Sequence, residues 1–406
     1  MASTILETQG WSDADVDYSS TGVNYDGGVI VEVTIPPNFP TDPYQKATVA
    51  DYSCIVRKVD ICNPDGSLWK CDVPILPDGQ VSVSRNRDER RSGSISIINC
   101  DNEYDWQQAK LWYDKTVKIY RGVQLGNTEI WMALIGTFVI EQVSAPHAPN
   151  VVTLTLKDRT KILKQTGLGA SLEFAISTPV ENVIRDLCLD AGLTTAMMNL
   201  PLTGANTSKI YTFELGSSHW QAIKEVAEAA NYEVWFSADG VLQLTAFPDI
   251  NNDAIFYTFE TSANNSNLAS FEISANDSRL RNNIVVLGVA ADGTPVSATV
   301  ANTEVTSNTN IATLGKRTLK HVNNLLATTA ECQAAGQVLL EDHALEQFDA
   351  NIEAIVIPWL EAGKIVDFIS DGTSVASGSR YLLNEFTIPL TLSTMSARLQ
   401  RIQKVI

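Results

Sequence analysis

The sequence predicts a mainly β protein in which a small α+β unit lies between two β regions. Short segments that alternate apolar and polar residues fill residues 50–166, and many short strands separated by turns are typical of a sandwich or a barrel. Two amphipathic helices and a hairpin follow in residues 170–247. Strand patterns then resume and, with one further helix, continue to the C-terminus.

A length of 406 residues favours several packed units over one compact domain. The pattern divides the chain into an N-terminal arm with an edge strand, a first β domain, a small α+β domain and a second β domain with one helix. We place these four units at residues 1–48, 49–168, 169–248 and 249–406. The arm is interrupted by glycine and proline, and one strand is expected in it, over residues 29–35.

The first β domain shows the strand pattern most clearly. Ser94 and Ser96 alternate with Ile95 and Ile97, which is the period of a strand with one buried face. We therefore expect this strand to place its isoleucines in a core.

The α+β unit begins with a strong helix signal. Thr178 is expected to cap a helix in which Pro179 occupies the first turn and Glu181 completes a capping box. Gly192 is expected to end this helix. The apolar face predicted for it comprises Val180, Val183, Ile184, Leu187, Cys188 and Ala191.

Three further signals complete the prediction. A second helix is expected from Ser218, with Gln221 three residues later, and Asp239-Gly240 lies between two strand-like runs as in a hairpin. In the second β domain, a third helix is expected to be capped by Thr328 and Glu331. Strand alternation continues to the last residue, so we expect no enzymatic domain to be appended.

The composition excludes several classes of protein. Hydrophobic residues make up 44% of the chain and charged residues 19%, which is enough apolar material for packed cores. The formal net charge is -18, from 47 acidic and 29 basic side chains, so nucleic-acid binding through a broad basic face is not expected. No apolar run is long enough for a membrane-spanning helix, and the N-terminus lacks the features of a secretory signal.

The sequence indicates no catalytic, cofactor or metal site. Motifs for phosphate binding, dinucleotide binding, zinc proteases and serine hydrolases are absent. The six cysteines form neither a disulfide framework nor a zinc knuckle and are interpreted as reduced thiols. Cys188 and His219 could form a nucleophilic pair, but Cys188 lies on the apolar face of its helix, which favours an inert thiol. We expect no enzyme and no cofactor.

One local basic cluster stands out, the run of residues 85–91. It contains Arg85, Arg87, Arg90 and Arg91, interleaved with acidic residues. A solvated strand edge is one interpretation, and contact with an acidic partner subunit is the other. Binding of nucleic acid is disfavoured because no stacking aromatic residues are interleaved.

The order of elements resembles that of a known family. Residues 92–101, 117–122, 134–141 and 154–159 form the first series. The helix starts at 178–184 and 218–227 with the hairpin at 239–240 form the second, and residues 335–341, 361–366 and the closing strand pair complete it. In this order they resemble the tail hub family of long-tailed phages, which also occurs in contractile injection systems and gene transfer agents. The arm at 1–45 has no counterpart that we can place in the family, and we expect no peptidoglycan-cutting domain such as some hubs carry.

The resemblance implies two tube-like β-sandwich or barrel domains that flank the small α+β domain. It implies a homotrimer whose pseudo-sixfold ring matches a hexameric tube to a threefold tip around a DNA channel. The implied partners are the tail tube protein, the distal tail protein, the tape measure protein and the tip or spike proteins. The implied location is the virion tail, assembled in the host cytoplasm, with transient passage of DNA and no insertion into a membrane.

Two other functions stay open at this stage. A receptor- or carbohydrate-binding tail tip protein would expose an aromatic cluster, for example Trp106 and Trp112, in a groove. A tail-associated hydrolase would cleave the cell wall. For the hub, we expect acidic side chains of the β domains to line the channel, because a negative wall does not retain DNA.

Overall fold

The computed structural model describes residues 29–33, 54–100, 102–104, 111–125, 129–145, 150–250, 252–261, 267–275, 277, 280–343, 348–369 and 379–401. The predictions for Trp106 and for the arm outside residues 29–33 lie outside the described residues. Within the described residues, no helix is both long and apolar enough to span a bilayer.

The predicted mainly β architecture is confirmed. The strands are β1 (Val29–Val33), β2 (Cys54–Cys62), β3 (Leu68–Lys70), β4 (Gln80–Ser84), β5 (Arg91–Ile98), β6 (Thr116–Leu125), β7 (Glu129–Ser144), β8 (Val151–Lys157), β9 (Leu172–Phe174), β10 (Met198–Asn199), β11 (Tyr211–Phe213), β12 (Tyr232–Phe236), β13 (Leu242–Ala246), β14 (Ile255–Glu260), β15 (Leu268–Ala275), β16 (Asn283–Val289), β17 (Pro295–Ala301), β18 (Thr318–Val322), β19 (Phe348–Ala354), β20 (Ile365–Ile369), β21 (Ser379–Pro389) and β22 (Met395–Arg401). The helices are α1 (Thr160–Gln165), α2 (Val180–Asp190), α3 (His219–Ala229), α4 (Ile311–Leu314) and α5 (Thr329–His343), with a 3₁₀ turn at Thr195–Met197.

One large sheet joins the two ends of the chain. Its 14 strands follow the order β15-β19-β22-β21-β4-β5-β8-β7-β6-β2-β3, with β1, β14 and β20 paired beside this path. The contact between β4 and β21 connects strands about 300 residues apart in sequence, since Ser82 stands opposite Thr387. The two predicted β regions therefore share a single sheet, which forms no closed barrel within the described residues.

The core of the large sheet forms because its strands alternate. In β8, Val152, Leu154 and Leu156 are buried while the residues between them are half-buried. The same core includes Phe386 and Leu399 from the C-terminal strands. Burial of one apolar face by strands from both halves of the chain is the main stabilising contribution here.

Gly122 is required by the close approach of β6 to β7. A methyl group on Gly122 would lie 1.8 Å from the carbonyl oxygen of Trp131, so Gly122→Ala must push the strands apart. We expect a loss of about 1–3 kcal/mol in the free energy of unfolding, measured by denaturant titration. Gly169→Ala is the matched control, because a methyl group there has no neighbour within 4 Å. Equal stability of the two variants would contradict this packing.

The α+β unit contains both predicted helices and the predicted hairpin, but two capping predictions are wrong. Pro179 occupies the N-cap position of α2, and no side chain caps that end. Thr178 Oγ1 instead donates to the carbonyl of Ala175 at 2.7 Å, and Glu181 accepts from Thr203 Oγ1 at 2.8 Å. A carbonyl three residues earlier and a hydroxyl 22 residues later thus take the place of the predicted capping box.

Three other predicted helix ends agree with the structure. The predicted start of the second helix at Ser218 is confirmed, because Ser218 occupies the N-cap position of α3, although its side chain makes no capping hydrogen bond. The predicted end at Gly192 is confirmed, since Gly192 has a φ of 90° and glycine adopts this conformation without steric cost. The capping box of α5 is confirmed as well. Thr328 Oγ1 accepts from the Glu331 amide at 3.1 Å, and the Glu331 carboxylate accepts from the Thr328 amide at 3.1 Å.

A small sheet between β15 and β19 was not indicated by the sequence alone. Strands β17-β16-β18 form a separate three-stranded sheet. Helix α5 covers it, and Ile284, Val286, Leu326 and Cys332 form its own core. The strand patterns of these residues predict strands but carry no information on which sheet they join.

Candidate functional site

The large sheet repeats one arrangement of four strands. The first quartet, in spatial order, is β4-β5-β8-β7 and the second is β15-β19-β22-β21. If the four strands of a quartet are numbered by their order in the sequence, they lie side by side in the order first, second, fourth and third in both quartets. Every pairing within them is antiparallel. The two quartets meet edge to edge where β4 pairs with β21.

The repeat extends to an irregularity in the pairing. In the first quartet, the register of β7 shifts between Ile140 and Gln142, opposite β8. In the second, the register of β21 shifts between Leu383 and Glu385, opposite β22. A bulge at the same position of the third strand is a strong sign of structural equivalence, because bulges are features of a particular fold.

The face of the sheet opposite the core is polar across both quartets. Its side chains stand in rows, because residues that pair across neighbouring strands point to the same face. One row crosses five strands through Ser270, Glu353, Ser396, Thr387 and Ser82. The hydroxyl oxygens of Ser82 and Thr387 are 3.0 Å apart, which directly joins the two quartets on this face. We call it the polar face.

The polar face is concave and carries more acid than base. A depression of about 450 Å³ lies over the second quartet and β4. Its charged residues are Glu272, Glu353 and Glu385 with Arg87 and Arg398. Arg398 also donates to Asp349 at 2.6 Å, so part of its charge is already balanced. The depression therefore carries a surplus of carboxylates.

Arg85 and Arg90 of the basic run point into the chain. Both guanidinium groups bind the Glu233 carboxylate of β12, at 3.2 and 3.3 Å. Arg85 also binds Asp342 at 3.1 Å, and Arg90 lies 4.4 Å from the ring centre of Trp235. Burial lowers the pKa of Arg90 to about 10, and Glu233 opposes this shift. Arg90 therefore remains charged at neutral pH.

Arg91 and Arg87 have different environments. Arg91 is 1% exposed, forms an ion pair with Glu361 and donates to the Ile135 carbonyl at 2.9 Å. Arg87 is exposed at the edge of the depression. The run is therefore mostly internal and not a solvated strand edge. Contact with an acidic partner stays a prediction, and Arg87 is the exposed arginine among the four.

The described residues around Cys188 and His219 are not arranged as a nucleophilic pair. Both ring nitrogens of His219 are engaged, with the Thr166 carbonyl at 3.0 Å and with Asp190 at 2.8 Å. Cys188 is fully buried, and burial raises the pKa of its thiol to about 12. Within the described residues, no three His, Cys, Asp or Glu side chains are grouped for a metal ion. Trp112 is 43% exposed and lies beside Tyr113.

Solved structures of phage tail proteins share this fold. The tail protein from Neisseria meningitidis MC58 is 16% identical, with a TM-score of 0.57 over 85% of this chain and 96% of that one. The 43 kDa tail protein of prophage MuSo2 from Shewanella oneidensis is 11% identical, with a TM-score of 0.54 over 85% and 98%. The prophage tail protein gp18 from Listeria monocytogenes EGD-e is 12% identical, with a TM-score of 0.51 over 86% and 95%.

No protein-family model and no curated protein matches the sequence. The predicted resemblance to phage tail proteins is confirmed at the level of the fold. Sequence reasoning missed the residues of the polar face, including Glu385 and Thr387 on β21. The alternation of residues 380–392 contained the signal for a two-faced strand, but only the pairing of β21 with β4 reveals what that face adjoins.

Proposed function

We propose that this chain is a structural tail hub protein that closes the distal end of a phage tail tube as a homotrimer. The observation that carries the proposal is the repeated quartet. Each chain has two equivalent quartets joined edge to edge, so three chains supply six. Such a ring has true threefold and approximate sixfold symmetry, which matches a hexameric tube on one side and a threefold tip on the other.

In this proposal, the first and second β domains, residues 49–168 and 249–406, each supply one quartet to the ring. The tail tube and distal tail proteins contact one side of the ring, and the tip or spike proteins contact the other. The tape measure protein ends at the ring. The chain acts in the virion tail after assembly in the host cytoplasm, and its role is structural, not enzymatic. Likeness in fold to tail proteins over 85% of the chain supports this role.

The polar face lines the DNA channel in this assembly. Its rows of serine, threonine and glutamate offer hydrogen bonds to water, and its surplus of carboxylates repels phosphate. Duplex DNA can then pass through the channel without binding to its wall. The apolar face of the same sheet is already occupied by the core, so the polar face is the one that can border water.

Charge reversal on the polar face tests its role in passage of DNA. In Glu272→Lys/Glu353→Lys, two exposed carboxylates become ammonium groups. We expect the variant to fold and assemble but to bind short duplex DNA at low salt, with affinity that falls steeply as salt rises. Fluorescence anisotropy of a labelled duplex measures this binding.

The matched control is Glu173→Lys/Glu214→Lys, which makes the same charge change at exposed positions of the α+β unit. We expect this control to bind DNA much more weakly, because its two positions lie outside the polar face, on or beside the separate sheet of β9 and β11. Equal binding by the two variants would contradict a channel lined by the polar face.

A further inference from the structure

The two outer edges of the paired quartets have no strand beside them within the described residues. One edge is β15, which pairs only with β19. The other is the C-terminal part of β7, because β6 accompanies β7 only as far as Val139 while β8 continues to Ser144. Unpaired strand edges expose backbone donors and acceptors and readily accept another strand.

Apolar side chains at both edges are less buried than their equivalents at the internal joint. At the joint of β4 with β21, Val81 is 0% exposed and Phe386 is 2% exposed. The equivalent residues at the outer edges are Ile273 on β15 and Val143 on β7, and both are only partly buried. A strand added at each edge would complete the burial that the internal joint already achieves.

The repeat also gives a register. Thr387 lies two residues beyond Glu385, the first paired residue after the bulge of β21, and Ser144 lies two residues beyond Gln142, its equivalent on β7. From these positions, the equivalence is followed across each quartet, from the third strand to the fourth, from the fourth to the second and from the second to the first. It makes Ser274 on β15 equivalent to Ser82 on β4. The internal pair Ser82 and Thr387 therefore predicts an outer pair of Ser274 and Ser144.

We propose that β15 of one copy pairs antiparallel with the C-terminal part of β7 of the next copy, with Ser274 opposite Ser144. This inference rests on the proposed trimer and names the strands that close it. The direction is consistent, since strands alternate in direction along the whole path from β15 to β7 and these two strands run opposite ways. The partner is a second copy of this chain, because its edges offer the bulge and register that already form the internal joint.

Disulfide trapping tests the pairing. The test uses the full chain with its exposed Cys54, Cys71 and Cys100 replaced by serine, and adds Ser274→Cys and Ser144→Cys. Directly opposed residues of an antiparallel pair are close enough for a disulfide. We expect mild oxidation at high protein concentration to give covalent dimers and trimers on a non-reducing gel.

Two control variants fix the geometry. Ser82→Cys/Thr387→Cys repeats the pair inside one chain and should form a disulfide without raising the mass. Ser270→Cys/Ser144→Cys is displaced by four residues, which is about 13 Å along a strand and beyond the reach of a disulfide. It should give no covalent oligomer.

The outcomes separate this inference from the hub itself. Covalent oligomers from the in-register pair alone support the pairing. A trimer in solution whose in-register pair does not crosslink, or crosslinks no better than the displaced pair, overturns the pairing and leaves the hub. Absence of both a trimer and a crosslink at the highest soluble concentration overturns both.

A charge pair provides a second measurement. In Ser274→Lys/Ser144→Lys, like charges would face each other across the joint, and we expect the trimer population to fall at low salt. Ser274→Lys/Ser144→Glu should restore it. Equal trimer populations in both variants, measured by mass photometry, would contradict the register.

Discussion

Glu233→Ala is expected to destabilise the chain by about 3–5 kcal/mol, because it removes the carboxylate that two buried arginines share. Arg85 keeps Asp342, whereas the direct contacts left to Arg90 among the described residues are the Ala362 carbonyl at 3.1 Å and the face of Trp235. A buried guanidinium without a carboxylate in direct contact is costly, since its solvation by water is not replaced. Denaturant titration would measure the loss.

Glu233→Ala should weaken the contact between the α+β unit and the large sheet in particular. Glu233 lies on β12 of the α+β unit, whereas Arg85 and Arg90 flank the turn between β4 and β5 of the large sheet. Amide hydrogen exchange should therefore rise at β12 and at residues 85–90 more than in the sheet core. Glu173→Ala, an exposed change in the same unit, is the control. Equal stability of the two variants would contradict a role for Glu233 in this contact.

Arg91→Met is expected to cost a similar amount, about 3–5 kcal/mol, for a different reason. Arg91 is the more deeply buried partner of an ion pair with Glu361 inside the large core. Methionine fills much of the same volume but leaves the Glu361 carboxylate and the Ile135 carbonyl without their partner. The expected loss appears as a lower denaturation midpoint.

A double variant distinguishes the contribution of the ion pair to stability from the contribution of side-chain packing. In Arg91→Met/Glu361→Leu, neither member of the ion pair is left buried without its partner, and we expect most of the loss to be recovered. A double variant less stable than Arg91→Met would show that Glu361 stabilises the core through contacts other than Arg91.

Local pattern predicts the elements of this chain well. Ile95 and Ile97 alternate with serines, and in the structure they lie in the core of β5. Gly192 ends a helix because only a residue without a side chain adopts that backbone conformation at no cost. Both features depend on a few neighbouring residues, so the sequence contains all the information they need.

The candidate site depends on contacts that no local pattern specifies. The arginine run looks like a polar edge because Glu233, Asp342 and Glu361 are distant in sequence. The quartet repeat is equally hidden, since equivalent positions such as Thr155 and Arg398 share only their polarity. Polarity sets the exposed face of a strand, whereas tertiary pairing decides which strands meet.

Electron microscopy of the full chain at high concentration tests the hub directly. We predict a threefold ring of three 44.3 kDa copies around an open channel, with Glu353, Ser396 and Thr387 of the polar face on the channel wall. A particle whose polar face lies on the outside, or the absence of any ring at every concentration, would contradict the proposal.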